Sequence, residues 1–214
     1  MLSRRALLAI LASAPGFSVL PAQAQEGGDI ALADLATSGG TIKDMAMGDA
    51  AAPVKVYEYA SMTCPHCARF QADVFPKIKE KYIDKGKVLW TMREFPLDPR
   101  ATAAFMLARC SGEDKYWAMI DVLFAQQASW AFVEASQVLP ALQQIARQAG
   151  FTQEQFEKCL QDKALYDGVN AVKQRGNDIF KIDGTPTFFV NGKRFGGEMT
   201  VEDFDKAVEP LLKS

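Results

Sequence analysis

The pattern of apolar and polar positions predicts two strands that flank a helix in the first half of the chain. Residues 54–60 form an apolar, β-branched run that predicts one strand, and residues 88–95 predict the next. Between them, apolar residues recur at near-helical spacing up to Gly86, and Pro76 is expected to kink this helix. The apolar positions of the helix are Phe70, Val74, Ile78 and Tyr82.

Residues 101–176 show helical patterning throughout. Thr152 and Asp162 stand where helix N-caps are expected, and three glycines stand where C-caps are expected. The predicted helices are 101–110, 116–127, 138–149, 153–160 and 163–175, and the glycines are Gly112, Gly150 and Gly176.

Strand signals return after the helical block. Residues 187–190 and 193–195 predict a hairpin around an Asn191-Gly192 turn of type I′. A capping box at Thr200-x-x-Asp203 opens a last helix that runs through Leu212. The block therefore predicts a helical insertion at 101–176 into one α/β domain formed by residues 53–100 and 177–214, and a polar, Gly/Ala-rich tail at 25–52 precedes that domain.

The first 24 residues have the pattern of a cleaved signal peptide. Arg4 and Arg5 precede an apolar stretch, and Ala22-Gln23-Ala24 fits the cleavage site. Pro15 and Gly16 break the apolar stretch, which argues against a permanent membrane helix. We expect export into an oxidising periplasm through the general secretory route or, given the paired arginines, the twin-arginine route.

Charge and length limit the classes of partner. The 214 residues suit one large domain or a domain with an insertion. Removal of the signal peptide lowers the basic residues from 24 to 22 against 26 acidic residues, which leaves a net charge near −4. Since no cluster of lysine or arginine stands out, the sequence favours neither nucleic acid nor an anionic membrane as a partner.

The candidate chemistry lies in Cys64-Pro65-His66-Cys67, between the first strand and its helix. A Cys-x-x-Cys at such a junction is typical of a dithiol redox site, and Pro65 suits the first helical turn. The helix N-terminus should depress the pKa of Cys64, and His66 is expected to stabilise its thiolate further. Cys67, one turn inside the helix, is the expected resolving thiol.

Several interpretations stay open from the residues alone. The four-residue motif could be half of a zinc site in a metal-binding or scaffolding module, although structural zinc normally needs four ligands. Glu58 could be a buried acid that relays protons to Cys67 or a solvent-facing strand residue. The Thr185-Pro186 bond would by frequency be trans. Pairing Cys64 with Cys67 leaves Cys110 with Cys159 for a second disulfide, and in an oxidising compartment this is favoured over two free core cysteines.

The chain resembles the DsbA-like branch of the thioredoxin superfamily. The resemblance rests on Cys64-Pro65-His66-Cys67 after the 56–61 strand, on the 75–77 and 94–97 segments, and on the 184–192 segment, and it covers nearly all of residues 50–214. It implies an α/β thioredoxin fold with an inserted all-helical domain. It also implies a cis proline at Pro186 beside the active site and a buried acid at Glu58.

The resemblance further implies a protein disulfide oxidoreductase that needs no cofactor beyond its Cys64–Cys67 disulfide. Its expected partners are unfolded exported proteins with free cysteines and a quinone-linked, DsbB-like membrane protein that reoxidises it. Cys110 and Cys159 match the second, non-catalytic disulfide of some bacterial members. Thr185 departs from the valine of the best-known oxidase type, so a reductase or isomerase kept reduced by a membrane donor is the alternative. Since only about 28 residues lie between the signal peptide and the first predicted strand, with no association module recognised there, we expect a monomer.

Overall fold

A computed structural model describes residues 29–213. The signal peptide expected at 1–24 lies outside the described residues. A five-stranded sheet runs through the molecule in the order β1-β3-β2-β4-β5, with β2 and β3 parallel and the other neighbours antiparallel. The strands are β1 (Met45–Met47), β2 (Val54–Ala60), β3 (Val88–Glu94), β4 (Thr187–Val190) and β5 (Lys193–Gly196).

Helices cover the sheet and fill the long connection between β3 and β4. They are α1 (Leu32–Leu35), α2 (Pro65–Asp73), α3 (Phe75–Ile78), α4 (Pro99–Cys110), α5 (Glu113–Ala125), α6 (Gln127–Trp130), α7 (Ala135–Gln148), α8 (Gln153–Leu160), α9 (Lys163–Asp178) and α10 (Val201–Val208). A π-helical turn follows α3 at Lys79–Ile83, and a 3₁₀ turn follows α10 at Glu209–Leu212.

Strand β1 corrects the expectation of a tail at 25–52. It pairs with β3 at the edge of the sheet, and buried Arg93 ties the segment down. The Arg93 guanidinium donates to Asp44 at 2.7 and 3.0 Å, to the Tyr59 hydroxyl at 2.9 Å and to the Leu35 carbonyl. Three residues are too few for an alternation of apolar and polar side chains to be recognised. The position of β1 therefore depends on tertiary contacts, those of Arg93 among them.

The helix that follows the Cys-x-x-Cys is interrupted as the sequence predicts, although two residues earlier than Pro76. Helix α2 ends at Asp73 with Val74 as its C-cap, and Pro76 occupies the first turn of α3, where its missing N–H costs no hydrogen bond. Phe70 packs against Trp90 and Phe188, with ring centroids 5.9 and 4.7 Å away. This aromatic contact fixes the active-site helix on the face of the sheet formed by β2, β3 and β4.

The helical block begins and ends its helices close to the predicted positions. Thr152 forms a capping box with Gln155, and Asp162 accepts the Leu165 N–H. Gly150 has a positive φ just beyond α7, as a C-cap glycine should. Gly176 is a correction, because it lies inside α9 and not at its end.

The physical reason for Gly176 is close packing. A Cβ at this position would stand 3.0 Å from Tyr59 Cε1, so the glycine lets α9 approach β2. The helix continues to Asp178 and is capped by Ile179.

The C-terminal hairpin and the second disulfide complete the fold. Asn191 and Gly192 both have positive φ, as the predicted type I′ turn requires. A disulfide joins Cys110 at the end of α4 to Cys159 in α8, with Cα atoms 6.0 Å apart and the two residues 49 positions apart in sequence. Within residues 29–213 no helix has both the length and the apolar character needed to cross a membrane.

Candidate active site

Cys64 and Cys67 lie where β2 passes into α2. Cys64 is the N-cap residue of α2, Pro65 is the first helical residue, and both thiols are free. Cys64 keeps a small exposed fraction of 5%, whereas Cys67 is fully buried. The Cys64 Sγ lies 3.2 Å from the Thr185 carbonyl oxygen, to which it donates when it is protonated. The position at the end of the chain's first long strand gives Cys64 access to a partner while Cys67 stays covered.

The two sulfurs differ strongly in acidity. A hydrogen bond from the Cys67 thiol is the largest influence that lowers the pKa of Cys64, to about 5, against an opposing effect of burial. The Thr185 side chain and the backbone N–H groups of Cys67 and His66 lower it further. Burial raises the pKa of Cys67 well above its ordinary value, and the neighbouring Cys64 sulfur adds to this. At neutral pH the pair therefore holds one thiolate, on Cys64, and one thiol, on Cys67.

Glu58 lies beneath the pair, on β2. Its side chain is buried, and the indole N–H of Trp90 donates to Glu58 Oε2 at 3.2 Å. Burial raises the pKa of Glu58 to about 8. The solvent-facing alternative is therefore wrong, and Glu58 carries a proton at neutral pH in the reduced protein.

Replacement of Glu58 by glutamine should make the reduced protein more stable above pH 5. The unfolded chain releases this proton near pH 4.5, whereas the folded chain holds it until about pH 8. Because the folded state then binds more protons, the stability of the wild type falls as the pH rises through this window. The glutamine side chain can still accept the indole N–H of Trp90. It has no proton to retain on folding, so it removes the loss of folding stability that Glu58 causes, about 3 kcal/mol at pH 7.

Urea unfolding of the reduced protein at pH 4 and at pH 7.5 measures this effect. The Glu58→Gln variant should match the wild type at pH 4 and exceed it at pH 7.5. Glu80→Gln, at an exposed position of the π-helical turn, serves as the control and should change neither value. A constant difference between Glu58→Gln and the wild type at both pH values would contradict the buried, protonated state of Glu58.

The Nδ1 atom of the His66 ring lies between two charged side chains, and stabilisation of the Cys64 thiolate by this ring stays a prediction. His66 Nδ1 lies 3.0 Å from Glu198 Oε1 and 2.7 Å from the Arg69 guanidinium. The contribution of His66 to the lowered pKa of Cys64 comes from its backbone N–H. Glu198 stands 132 positions away in sequence, and no pattern in the chain pointed to this contact.

The loop before β4 forms the other wall of the site. The Thr185-Pro186 peptide bond is cis, and the Pro186 carbonyl accepts the Gly197 N–H at 2.9 Å. The Thr185 carbonyl oxygen lies against the Cys64 sulfur. Two parts of the site thus come from positions 121 residues apart in sequence, since the helical block lies between Cys64 and Thr185 along the chain. Within residues 29–213 no group of three or more histidine, cysteine, aspartate or glutamate side chains could hold a metal ion.

A sheet of this topology with a dithiol at a helix N-terminus and a cis proline opposite it defines a thioredoxin-like protein. The sequence model of the family described as "Thioredoxin" matches residues 40–210. The chain belongs to the thioredoxin family, in its DsbA-like branch. The fold predicted from the sequence, a thioredoxin fold with inserted helices, is confirmed by these matches.

Several relatives of the chain carry names that refer to protein disulfides. The chain is 34% identical over 170 residues to a "Putative protein-disulfide oxidoreductase" of Rickettsia bellii, an alignment that covers 78% of this chain and 65% of the relative. It is 30% identical over 184 residues to a "Probable disulfide bond formation protein D" of Bacillus anthracis, covering 78% and 77%. The chain thus spans slightly less than two thirds of the length of the rickettsial relative.

Solved structures include a similar protein. The crystal structure of Wolbachia pipientis alpha-DsbA1 is 35% identical, superposes with a TM-score of 0.75, and is matched over 80% of this chain and 92% of that one. BdbD from Bacillus subtilis, at 23% identity and a TM-score of 0.71, shares the fold.

Proposed function

We propose that the chain is a thiol:disulfide oxidoreductase that introduces disulfides into exported proteins through Cys64 and Cys67. The observation that carries the proposal is the difference between the two sulfurs. Cys64 is partly accessible and its pKa is lowered to about 5, whereas Cys67 is buried with a raised pKa. A thiolate stabilised in this way favours the reduced form, so the Cys64–Cys67 disulfide is a strong oxidant.

The reaction begins from the oxidised pair. A substrate thiolate attacks Cys64 Sγ, a substrate–Cys64 disulfide forms, and the Cys64–Cys67 bond breaks with its electron pair passing to Cys67. Cys67 then takes up a proton. A second substrate thiolate attacks the substrate sulfur of the mixed disulfide and releases Cys64 as the thiolate. The substrate has lost two electrons, which the Cys64/Cys67 pair now holds.

Burial decides which sulfur is attacked and where the proton comes from. Only Cys64 has an exposed surface, so the incoming thiolate meets Cys64 and not Cys67. Glu58 is near enough to Cys67 that its ionised form raises the pKa of the Cys67 thiol. Since Glu58 carries a proton up to about pH 8, we propose that it supplies the proton that Cys67 takes up, directly or through water.

The substrate is proposed to lie against the cis-proline loop. The Thr185 carbonyl oxygen lies 3.2 Å from Cys64 Sγ, so a chain bonded to Cys64 would run beside the backbone of Thr185 and Pro186. Thr185 is half-buried, and backbone contacts at this point suit an extended polypeptide, which offers the same donors and acceptors whatever its side chains. This fits clients that are unfolded and varied in sequence.

Localisation and partners follow from the same proposal. We propose that the protein works as a monomer in the periplasm after export by its N-terminal signal, without a cofactor beyond its own disulfide. A quinone-linked, DsbB-like membrane protein would return it to the oxidised form. The pattern of residues 1–24 supports this placement.

The reduction potential of the Cys64–Cys67 pair tests the direction of the reaction. We expect the mature protein, equilibrated with glutathione buffers, to give a value near or above about −150 mV, well above the roughly −180 mV of disulfide isomerase. A value near the roughly −270 mV of thioredoxin would overturn the oxidase proposal and favour the reductase alternative. Oxidation state in each buffer can be read after trapping the free thiols with an alkylating reagent.

A further inference from the structure

We propose that Gln127, a residue of the helical block, is a positioning residue that stabilises the thiolate of Cys64. It does so by holding the segment that leads into α2 with its side-chain amide. The inference deepens the proposed function and rests on it for its meaning in disulfide transfer. The effect on the thiol itself can be measured without any substrate.

The contact joins the inserted helices to the active-site segment. Gln127 Nε2 donates to the Met62 carbonyl at 2.8 Å and to the Cys64 carbonyl at 3.0 Å. The side chain is almost completely buried, with 5% exposed. An amide NH₂ group has two hydrogens, so both donors of Gln127 are committed to the two carbonyls that flank Thr63.

The second carbonyl is shared with the helix itself. The Cys64 carbonyl also accepts the Ala68 N–H at 3.2 Å, which is the first hydrogen bond of α2. Gln127 therefore acts on the peptide group at which the helix begins. By fixing that group, it fixes the direction in which the following N–H groups, those of His66 and Cys67, point toward the Cys64 sulfur.

The amide is held in place by its own surroundings. Gln127 opens α6, whose Trp130 is fully buried and donates its indole N–H to the Leu123 carbonyl at 2.9 Å. Arg100 donates to the Ala131 and Val133 carbonyls at 2.6 and 3.0 Å, directly after this helix. The α5–α6 corner is thus braced on both sides, and the amide meets the active-site segment from a rigid position.

The direction of the amide dipole gives the sign of the effect. The donor end of Gln127 faces the Met62 and Cys64 carbonyls, so the positive end of its dipole lies toward the backbone that carries the Cys64 sulfur. In a buried setting such a dipole acts more strongly than in water. Without it, the Met62 carbonyl loses its side-chain donor and the Cys64 carbonyl keeps the Ala68 N–H, so the negative ends of both carbonyls near the sulfur are less well compensated.

Three variants of the mature protein test the proposal. Gln127→Leu keeps most of the volume and removes the donors, and Gln127→Glu keeps the shape while adding a negative charge. Ser129→Ala is the matched control, because the exposed Ser129 hydroxyl bonds only to the Gln126 carbonyl of the same corner. The readouts are the pKa of Cys64, from thiolate absorbance against pH, and the equilibrium constant with glutathione.

The net free energy of one hydrogen bond corresponds to a pKa shift of up to about one unit. We expect Gln127→Leu to raise the pKa of Cys64 by about half to one unit and to make the disulfide three- to tenfold less oxidising in the glutathione equilibrium. Gln127→Glu should raise the pKa more than Gln127→Leu, and Ser129→Ala should change neither value.

Melting curves of each variant separate this role from simple support of the fold. If both Gln127 variants melt earlier and yet keep the wild-type pKa and glutathione equilibrium, Gln127 only supports the fold and the proposal is overturned. If Gln127→Leu fails to fold, the comparison of Gln127→Glu with the wild type decides: a higher pKa of Cys64 in the variant supports the proposal, and an equal pKa overturns it. The wild type could fail to oxidise clients while the Gln127 variants still raise the pKa of Cys64. That result would overturn the proposed function and leave this inference intact.

Discussion

Replacing Cys64 with serine should abolish dithiol oxidation by the protein. The proposed reaction passes through a disulfide between the substrate and Cys64, and a hydroxyl cannot form that bond. Cys67 cannot take over, because it is fully buried and its pKa is raised well above the ordinary value. Oxidation of a reduced, unfolded client with two cysteines, followed by its fluorescence or by thiol trapping, measures the loss.

Cys67→Ser is the matched control for this loss. It leaves the accessible Cys64 in place and removes the resolving thiol, so disulfides between Cys64 and clients should accumulate and be visible on non-reducing gels. The Cys64→Ser variant should show none of these adducts. Oxidation by Cys64→Ser at the wild-type rate would rule out the proposed mechanism.

Removing the Cys110–Cys159 disulfide should lower the free energy of unfolding more than any other change considered for this protein. Cys110 and Cys159 are 49 positions apart, and in the chain-entropy model a closed loop of this length contributes about 4 kcal/mol. For a domain of this size a loss of about 4 kcal/mol lowers the melting temperature by roughly 8–16 °C. The double variant Cys110→Ala/Cys159→Ala avoids leaving a free thiol in the helical block.

Denaturant and thermal unfolding of the double variant, compared with Cys64→Ala/Cys67→Ala, measure this contribution. The control pair closes a loop of only two intervening residues, so its loss changes the entropy of the unfolded chain far less. Equal melting temperatures for the wild type and the Cys110→Ala/Cys159→Ala variant would show that the helical block is held together without the bridge.

The parts of the site that lie close in sequence were predictable from it. Cys64-Pro65-His66-Cys67 combines a strand end, a helix start and two thiols within four residues, so the position of the redox pair at a helix N-terminus follows from local patterns. The capping residues of α8 and α10 were equally local, since a capping box involves only four consecutive positions. Family resemblance added the cis bond before Pro186, against its low frequency.

What the sequence could not supply depends on tertiary contacts. Glu58 gave an even choice between burial and solvent, and it is the indole of Trp90 and the covering α2 that place it inside. The imidazole of His66 turns to Glu198, a contact between the active-site helix and the loop after β5. Gln127 carries no recognisable motif, because a single buried amide is defined by what it bonds to and not by its neighbours in the chain.

The order of the four cysteines along the chain has a consequence for biosynthesis. A polypeptide emerges from its N-terminus, so Cys64 and Cys67 become available first, and Cys110 and Cys159 follow. Each pair, the redox pair and the bridge of the helical block, thus consists of two cysteines that follow one another in the order of synthesis. Oxidation that pairs each newly emerged thiol with the one before it yields the native connectivity, and the maturing protein needs no reshuffling of mispaired bonds to become competent.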